Sequence, residues 1–168
     1  VDEWGIDAIN AGRLAFESTD ARLAEALAEA HRVGNLSATS DIGVYAEAAV
    51  AVGDVHLDVD FSVQPPRLEI DGFRAAVRTL GETLPPGALV VVETTVPPGT
   101  CAHVVAPEIE SALERRGLAR DAVLLAHAYE RVMPGDRYLE SIVEFWRVYS
   151  GHTPAAADAC ERFLASVI

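Results

Sequence analysis

The chain has 168 residues, half of them apolar, and it carries a formal net charge of −13 at pH 7. This length and composition predict a domain with a full hydrophobic core and exclude a disordered chain. A strongly acidic surface repels phosphate backbones and anionic lipids, so neither nucleic acid nor a membrane is an expected partner. No apolar run reaches the length of a membrane span, and no signal peptide is visible.

The basic residues and the cysteines restrict the chemistry further. All 13 basic residues are arginine, which excludes Schiff-base and other lysine chemistry within these residues. Cys101 and Cys160 lack a metal-binding spacing, so we expect reduced thiols in a cytoplasmic protein. The alanine- and arginine-rich composition suggests a bacterial source. Because the chain starts at Val1 rather than Met, we expect it to be part of a longer protein.

Helices and strands are predicted to alternate along the chain. Hydrophobic periodicity predicts helices over residues 3–11, 21–33, 71–80, 100–116 and 153–168. Strand-like runs lie at residues 35–40, 46–55, 88–93, 122–128 and 145–150. We expect Gly34 to end the second helix, Asp71 and Thr100 to cap the next two, and Pro154 to lie near the start of the last. The order predicts an α/β fold with a mostly parallel sheet and helices on both faces.

The stretch "VVETTVPPGT", residues 91–100, ends the clearest buried strand in polar residues. Ligands of open α/β sheets bind outside the carboxyl ends of the strands, where Glu93, Thr94 and Thr95 are predicted to lie. The two prolines restrict the following turn, and Gly99 permits a close approach. The same pattern is also typical of threonines that satisfy their own turn, and both interpretations stay open.

Glu130, in "HAYERVMPG", follows the next buried strand. A carboxyl group at the rim of an apolar sheet can have a raised pKa and serve in acid/base catalysis. The alternative is an ion pair with Arg131 or with an arginine elsewhere. A further cluster of polar side chains lies in "DVHLDVD", where every second residue is Asp or His: Asp54, His56, Asp58 and Asp60. This alternation is typical of a strand face exposed to solvent, and we predict no metal site there.

Together, "VVETTVPPGT" and "YERVMPG" resemble the motifs of the UDP-glucose/GDP-mannose dehydrogenase family, the nucleotide-sugar dehydrogenases. The form of the second motif is similar to the subgroup acting on UDP-N-acetylmannosamine. The resemblance covers the whole chain, and Asn10, Gly12 and Glu17 also match the family. It implies a single, partial, truncated Rossmann-like domain over residues 1–168, with no second domain in this chain.

The resemblance implies NAD-dependent oxidation of a sugar C6 alcohol to a carboxylate in two steps. Thr95 would lie by the nicotinamide and order a catalytic water, and Glu130 would activate water to hydrolyse a covalent intermediate. The residues that would bind NAD are Val52, Gly53, Glu93, Thr94 and Thr95. The residues that would border the nucleotide sugar are Arg131, Val132, Met133, Pro134 and Gly135.

Parts of the family pattern are absent or altered in this sequence. The glycine-rich turn would precede Val1, and the domain with the nucleophilic cysteine would follow Ile168. We therefore expect these residues alone to bind NAD weakly and not to complete redox turnover. Asp54 stands where the family usually has threonine, and its charge disfavours nearby cofactor phosphates. Ala128 replaces a small polar residue or proline.

The absence of the glycine-rich turn and its flanking strands from these residues also affects the predicted strand order of the sheet. Residues 35–40 and 46–55 would be the third and fourth strands, and the first two would normally lie between them. We therefore predict that the sheet is rearranged, or completed by another chain in a homo-oligomer or by further residues. Two alternatives to the dehydrogenase stay open: a degenerate homologue performing non-redox acid/base chemistry on a small molecule through Glu130, and a non-catalytic protein-interaction module.

Overall fold

The computed structural model describes residues 2–167. The helices are α1 (Glu3–Asn10), α2 (Ala21–Arg32), α3 (Asp71–Thr83), α4 (Ala106–Arg115), α5 (Tyr138–Val143) and α6 (Pro154–Val167). The strands are β1 (Val50–Gly53), β2 (Asp58–Asp60), β3 (Arg67–Glu69), β4 (Leu89–Val92), β5 (Leu124–His127) and β6 (Ser150–Gly151). A 3₁₀ helix covers Ile42–Glu47, and a π-helical turn, Cys101–Val105, leads into α4. Within residues 2–167, every helix is too short or too polar to cross a bilayer.

The described residues form two compact units. The smaller unit contains residues 2–42 and 131–146, and the larger unit contains residues 43–130 and 147–167. The chain therefore leaves the larger unit after Glu130 and re-enters it at Arg147.

The larger unit is built on a four-stranded sheet of order β1-β4-β5-β6. The first three strands are parallel, and β6 runs antiparallel to β5. β2 and β3 form a separate antiparallel pair. The predicted α/β fold with a mostly parallel sheet is confirmed.

Strand β4 is buried on both faces, as the central strand of a parallel sheet should be. Val90 and Val92 join the core formed with α3 and α4, whose main contributors include Phe73, Leu80 and Leu113. Side chains alternate along a strand, so Leu89 and Val91 point to the opposite face, and α6 packs against β4 and β5. Full burial of each such aliphatic side chain contributes about 1.5–3 kcal/mol.

Two polar side chains organise the smaller unit. Asp20, 3% exposed, caps α2 by accepting the backbone N–H of Arg22 at 3.0 Å and also accepts that of Leu139 at 2.9 Å. The side-chain amide of Asn10 donates a hydrogen bond to the carbonyl of Ala38 and accepts one from its N–H, each at 2.8 Å. These bonds link segments that are distant in the sequence.

The prediction of a strand at residues 35–40 is wrong. These residues belong to neither sheet, and the backbone N–H and carbonyl of Ala38 are hydrogen-bonded to the side-chain amide of Asn10 instead of to a strand. The four strands of the larger sheet are contiguous, so the sheet has no internal gap in the described residues. Its completion by another chain stays a prediction.

Neither predicted helix cap makes a side-chain capping hydrogen bond. Asp71 is the first residue of α3, and Ile70 precedes it without a side-chain cap. Thr100 already has helical backbone angles, and its hydroxyl donates to the carbonyl of Pro97 at 2.7 Å. In both cases, the helical conformation starts at the residue that was expected to flank it.

The predicted strand at residues 145–150 is reduced to β6, Ser150–Gly151. The preceding segment contains α5, which the sequence did not predict because its six residues are too short to show a clear helical period. The remaining helices lie within a few residues of their predicted bounds, and α6 begins at Pro154.

Candidate functional site

The parallel strands β1, β4 and β5 all end at one edge of the larger sheet, at Gly53, Val92 and His127. We call this the carboxyl edge. Glu93 to Thr95 follow β4 there, and Glu130 follows β5 three residues beyond His127. The sheet topology thus brings the predicted cofactor-binding and catalytic positions of the larger unit to the same edge.

Thr94 is part of the scaffold of this edge. Its side chain is buried, and its hydroxyl accepts the backbone N–H of Val55 at 2.8 Å and donates to the carbonyl of Val55 at 3.0 Å. The N–H of Glu93 also donates to the carbonyl of Gly53 at 2.9 Å. The hydroxyl of Thr94 is therefore used within the fold, whereas Thr95 is exposed.

Gly53 leaves its backbone open at the carboxyl edge. A Cβ atom placed on it would come no closer than 3.9 Å to the carbonyl oxygen of Val91, an ordinary contact. The packing of the sheet therefore does not require a glycine at this position. Val52, which precedes it, is 45% exposed.

Glu130 and Glu93 both have raised carboxyl pKa values. For Glu130 the largest cause is burial; Arg147 opposes the shift, and the charges of Glu93 and Asp54 add to it. Burial is also the largest cause for Glu93, again opposed by Arg147 and reinforced by Asp54. A shift in this direction brings the pKa of a carboxyl group closer to the range that acid/base catalysis near neutral pH favours.

Sequence reasoning did not single out Arg147. Its side chain is 10% exposed, and its Nη1 atom lies 3.8 Å from Oε1 of Glu93. The Nε and Nη1 atoms are buried and have no hydrogen-bond partner within the described part of the chain. The available signal was a lone arginine inside the apolar run "FWRVY", since a buried guanidinium needs a compensating charge.

The predicted sugar-binding residues Arg131 to Gly135 lie in the smaller unit. Met133 donates its backbone N–H to the hydroxyl of Ser141 at 3.1 Å, and Gly135 has a φ of 132°, which favours glycine. Arg131 is exposed, and Val132 is partly buried. An open cavity of about 510 Å³ is lined by Phe16, Glu17, Ser18, Thr19, Pro134, Gly135 and Tyr138.

A second cavity, of about 400 Å³, lies in the larger unit beside the Pro97–Pro98–Gly99 turn. His127 lines it, and the Nε2 atom of this histidine is buried without a hydrogen-bond partner in the described residues. Within residues 2–167, no three His, Cys, Asp or Glu side chains converge on a point suited to a metal ion. His56 instead pairs with Asp58, with Nε2 2.8 Å from Oδ1.

Comparison with known proteins identifies the class of domain that this fold and edge define. The model of the UDP-glucose/GDP-mannose dehydrogenase family, NAD binding domain, matches residues 1–167, and the chain belongs to this family. The predicted family is thereby confirmed. NAD is the cofactor of this family domain.

Two relatives with similar sequences support this assignment. The chain is 37% identical over 95 residues to the UDP-N-acetyl-D-mannosamine dehydrogenase of Pyrococcus horikoshii, covering 55% of the chain and 21% of that protein. It is 29% identical over 168 residues to the NDP-N-acetyl-D-galactosaminuronic acid dehydrogenase of Ralstonia nicotianae, covering 96% of the chain and 37% of the relative. The chain thus spans little more than a third of that relative.

Solved structures show the same fold. The UDP-D-ManNAc dehydrogenase of Pyrococcus horikoshii superposes with a TM-score of 0.84 at 27% identity, covering 100% of this chain and 38% of that chain. The NDP-N-acetyl-D-galactosaminuronic acid dehydrogenase of Methanosarcina mazei superposes with a TM-score of 0.86 at 24% identity, covering 98% and 34%. The expected Rossmann-like fold is therefore confirmed.

Proposed function

We propose that this chain is the NAD-binding part of a longer, cytoplasmic nucleotide-sugar 6-dehydrogenase, in which it forms a single partial Rossmann-like domain. The substrate class is a nucleoside-diphosphate sugar, whose C6 alcohol is oxidised to a carboxylate. The single observation that carries the proposal is the position of Glu130, a carboxyl group with a raised pKa, at the same sheet edge as the exposed Thr95.

NAD would be held at the carboxyl edge by the open backbone at Val52 and Gly53 and by Glu93 to Thr95. The bound cofactor supplies the hydride acceptor. The carboxylate of Asp54 at this edge disfavours the cofactor pyrophosphate and favours its positively charged nicotinamide end. The residues present therefore fit the nicotinamide end of the cofactor.

Glu130 would act as the acid/base group. In its ionised form it takes a proton from water and so generates the nucleophile that hydrolyses the covalent intermediate. Its raised pKa brings the protonated and ionised forms closer to balance near neutral pH. Thr95 would orient that water through its exposed hydroxyl, and Arg131 to Gly135 would contact the sugar.

We further propose that β1 is covered in the working protein. It forms one end of the described four-stranded sheet, and an unpaired strand edge readily pairs with additional backbone. Further residues of the same protein or a second copy in a homo-oligomer would supply that partner.

The test is an assay of the whole protein that contains this chain. With UDP-N-acetylmannosamine and NAD, we expect two NADH per sugar; UDP-glucose and GDP-mannose serve as comparison substrates. Glu130→Gln should lower kcat by about 10²–10⁴-fold. The matched control is Glu144→Gln, which removes an exposed carboxylate from the smaller unit and should leave kcat unchanged.

Absence of NADH formation with all three sugars would contradict the proposed redox function. If Glu130→Gln then also abolished a non-redox conversion of the nucleotide sugar, the degenerate-homologue alternative would replace it. If the protein bound neither NAD nor nucleotide sugar in calorimetry, the interaction-module alternative would be favoured.

A further inference from the structure

Glu130 and Arg147 lie at the two points where the chain passes between the units. Residues 131–146 belong to the smaller unit, and Glu130 and Arg147 are the residues of the larger unit that flank them. β5 pairs with β6 so that His127 lies opposite Ser150. Extended by three residues beyond this last bridge, the same antiparallel register would bring Glu130 opposite Arg147.

The environment of Arg147 is unusual for an arginine. Its side chain is nine-tenths buried, and two of its nitrogen atoms have no hydrogen bond within residues 2–167. A buried guanidinium without hydrogen bonds is costly, and a compensating anion must offset that cost. The carboxylate of Glu93 lies close by, with its Oε1 atom 3.8 Å from Nη1 of Arg147.

The charged groups around Arg147 are predominantly acidic. Glu93, Glu130 and Asp54 interact electrostatically, and Arg147 is the basic group that acts on the two glutamates in the described part of the chain. The field of Glu93 also extends to the buried thiol of Cys160 on α6. One positive charge therefore faces more than one carboxylate.

We propose that Arg147 is a positioning residue that holds Glu93 and Glu130 side by side as one acid/base pair. The inference rests on the proposed function, because it assigns the partners of the acid/base group. One guanidinium offsets the charge of one carboxylate, so the pair favours a state that carries one proton. When Glu130 takes a proton from water, the charge of Arg147 remains paired with Glu93.

This arrangement makes Glu93 a member of the acid/base site as well as a neighbour of the cofactor. It also explains why the arginine is buried at the carboxyl edge instead of pairing with one of the exposed glutamates. An arginine buried only for packing would not control the titration of Glu130. That difference is measurable without cofactor or substrate.

The experiment is a ¹³C-carboxyl NMR titration of the whole protein with labelled glutamate, in which Glu93→Gln and Glu130→Gln assign the two signals. Arg147→Gln should raise the pKa of both remaining carboxyl groups, because their nearby positive charge is lost. In Arg147→Lys, which keeps a positive charge, the pKa values of both carboxyl groups should lie between those of Arg147→Gln and those of the wild type. Glu93→Gln should instead lower the pKa of Glu130, since a neighbouring negative charge is removed.

The matched control is Arg162→Gln, which removes an exposed arginine from α6 and should leave both signals in place. In the NADH assay, Arg147→Gln should lower kcat by about 10–100-fold, as the loss of an orienting partner does at other sites, and should shift the pH profile. Its KM for the nucleotide sugar should change little.

An unchanged titration of Glu130 in folded Arg147→Gln would overturn the proposal. If that variant does not fold, the Glu93→Gln and Arg147→Lys variants provide the test. A pKa of Glu130 that changes in neither variant would overturn the proposal. Because the titration needs neither NAD nor sugar, the expected shifts in a protein that forms no NADH would support the pairing and contradict only the redox function.

Discussion

The hydroxyl of Thr94 holds Val55 by two hydrogen bonds, accepting its N–H at 2.8 Å and donating to its carbonyl at 3.0 Å. The two residues follow different strands, β4 and β1. Their contact fixes the spacing of the chain segments at the carboxyl edge. Of the two adjacent threonines, Thr94 is thus structural, and Thr95 is the one that remains accessible.

Thr94→Val should destabilise the protein without changing side-chain shape. The substitution leaves the N–H and the carbonyl of Val55 without their partner, which costs about 1–3 kcal/mol of unfolding free energy. Urea denaturation monitored by circular dichroism measures this loss. The matched control is Thr95→Val, an exposed position where the change should stay within about 0.5 kcal/mol. Equal losses in the two variants would contradict a structural role specific to Thr94.

Gly81 permits the close packing of α3 against α4. A Cβ atom on Gly81 would lie 2.8 Å from the Cβ of Ala112 and 3.1 Å from the Cα of Ile109. Gly81→Ala should therefore force the helices apart and lower the unfolding free energy by about 1–3 kcal/mol. Denaturant titration provides the measurement.

Gly72, on the same helix, is the matched control for Gly81. A Cβ atom there meets nothing within 4 Å, so Gly72→Ala should be neutral or stabilising by up to about 1 kcal/mol through reduced freedom of the unfolded chain. If Gly81→Ala were as stable as Gly72→Ala, steric contact with α4 would not be the reason for this glycine.

The sequence predicted the features that depend on local pattern. Strand β4 is a short run rich in β-branched residues, with a glycine turn before it and polar residues after it. This local sequence pattern is enough to predict both the strand and its burial. Parallel order then requires Glu93 and the end of β5 to share an edge. The shared edge of Glu93 and the end of β5 therefore followed from topology alone.

Contacts between distant residues could not be predicted in this way. Nothing near Arg147 in the sequence indicates that it lies by Glu93, more than fifty positions earlier. The same holds for Asn10, whose side-chain amide bonds the backbone of Ala38, 28 positions later.

Asp20 should make the smaller unit sensitive to acid. Hydrogen bonds from the backbone N–H groups, chiefly that of Leu139 and then that of Arg22, hold the pKa of this carboxyl below its usual range. Its stabilising contribution is therefore complete above the pKa of the unfolded chain and is lost as the pH falls through the lower folded value.

Asp20→Asn should weaken both hydrogen bonds and remove this part of the pH dependence. Hydrogen exchange at the Leu139 and Arg22 amides should become faster in the variant at neutral pH, and the difference from the wild type should shrink in acid. Asp7→Asn, an exposed change on α1, is the control. Unchanged protection of the Leu139 amide in Asp20→Asn would show that the carboxylate charge is not needed there.

Glu130→Gln should stabilise the fold at neutral and alkaline pH while it removes activity. Because burial raises the folded-state pKa of Glu130, ionisation of this group opposes folding, and its cost appears as the pH rises through the unfolded and then the folded value. Glutamine carries no charge, so the variant should have the higher midpoint of thermal unfolding above that window and match the wild type in acid below it. Glu144→Gln, at an exposed site, should follow the wild type at every pH. A midpoint for Glu130→Gln that lies below the wild type at alkaline pH would mean that the carboxylate stabilises the fold, as an ion pair with Arg147, more than its burial destabilises it.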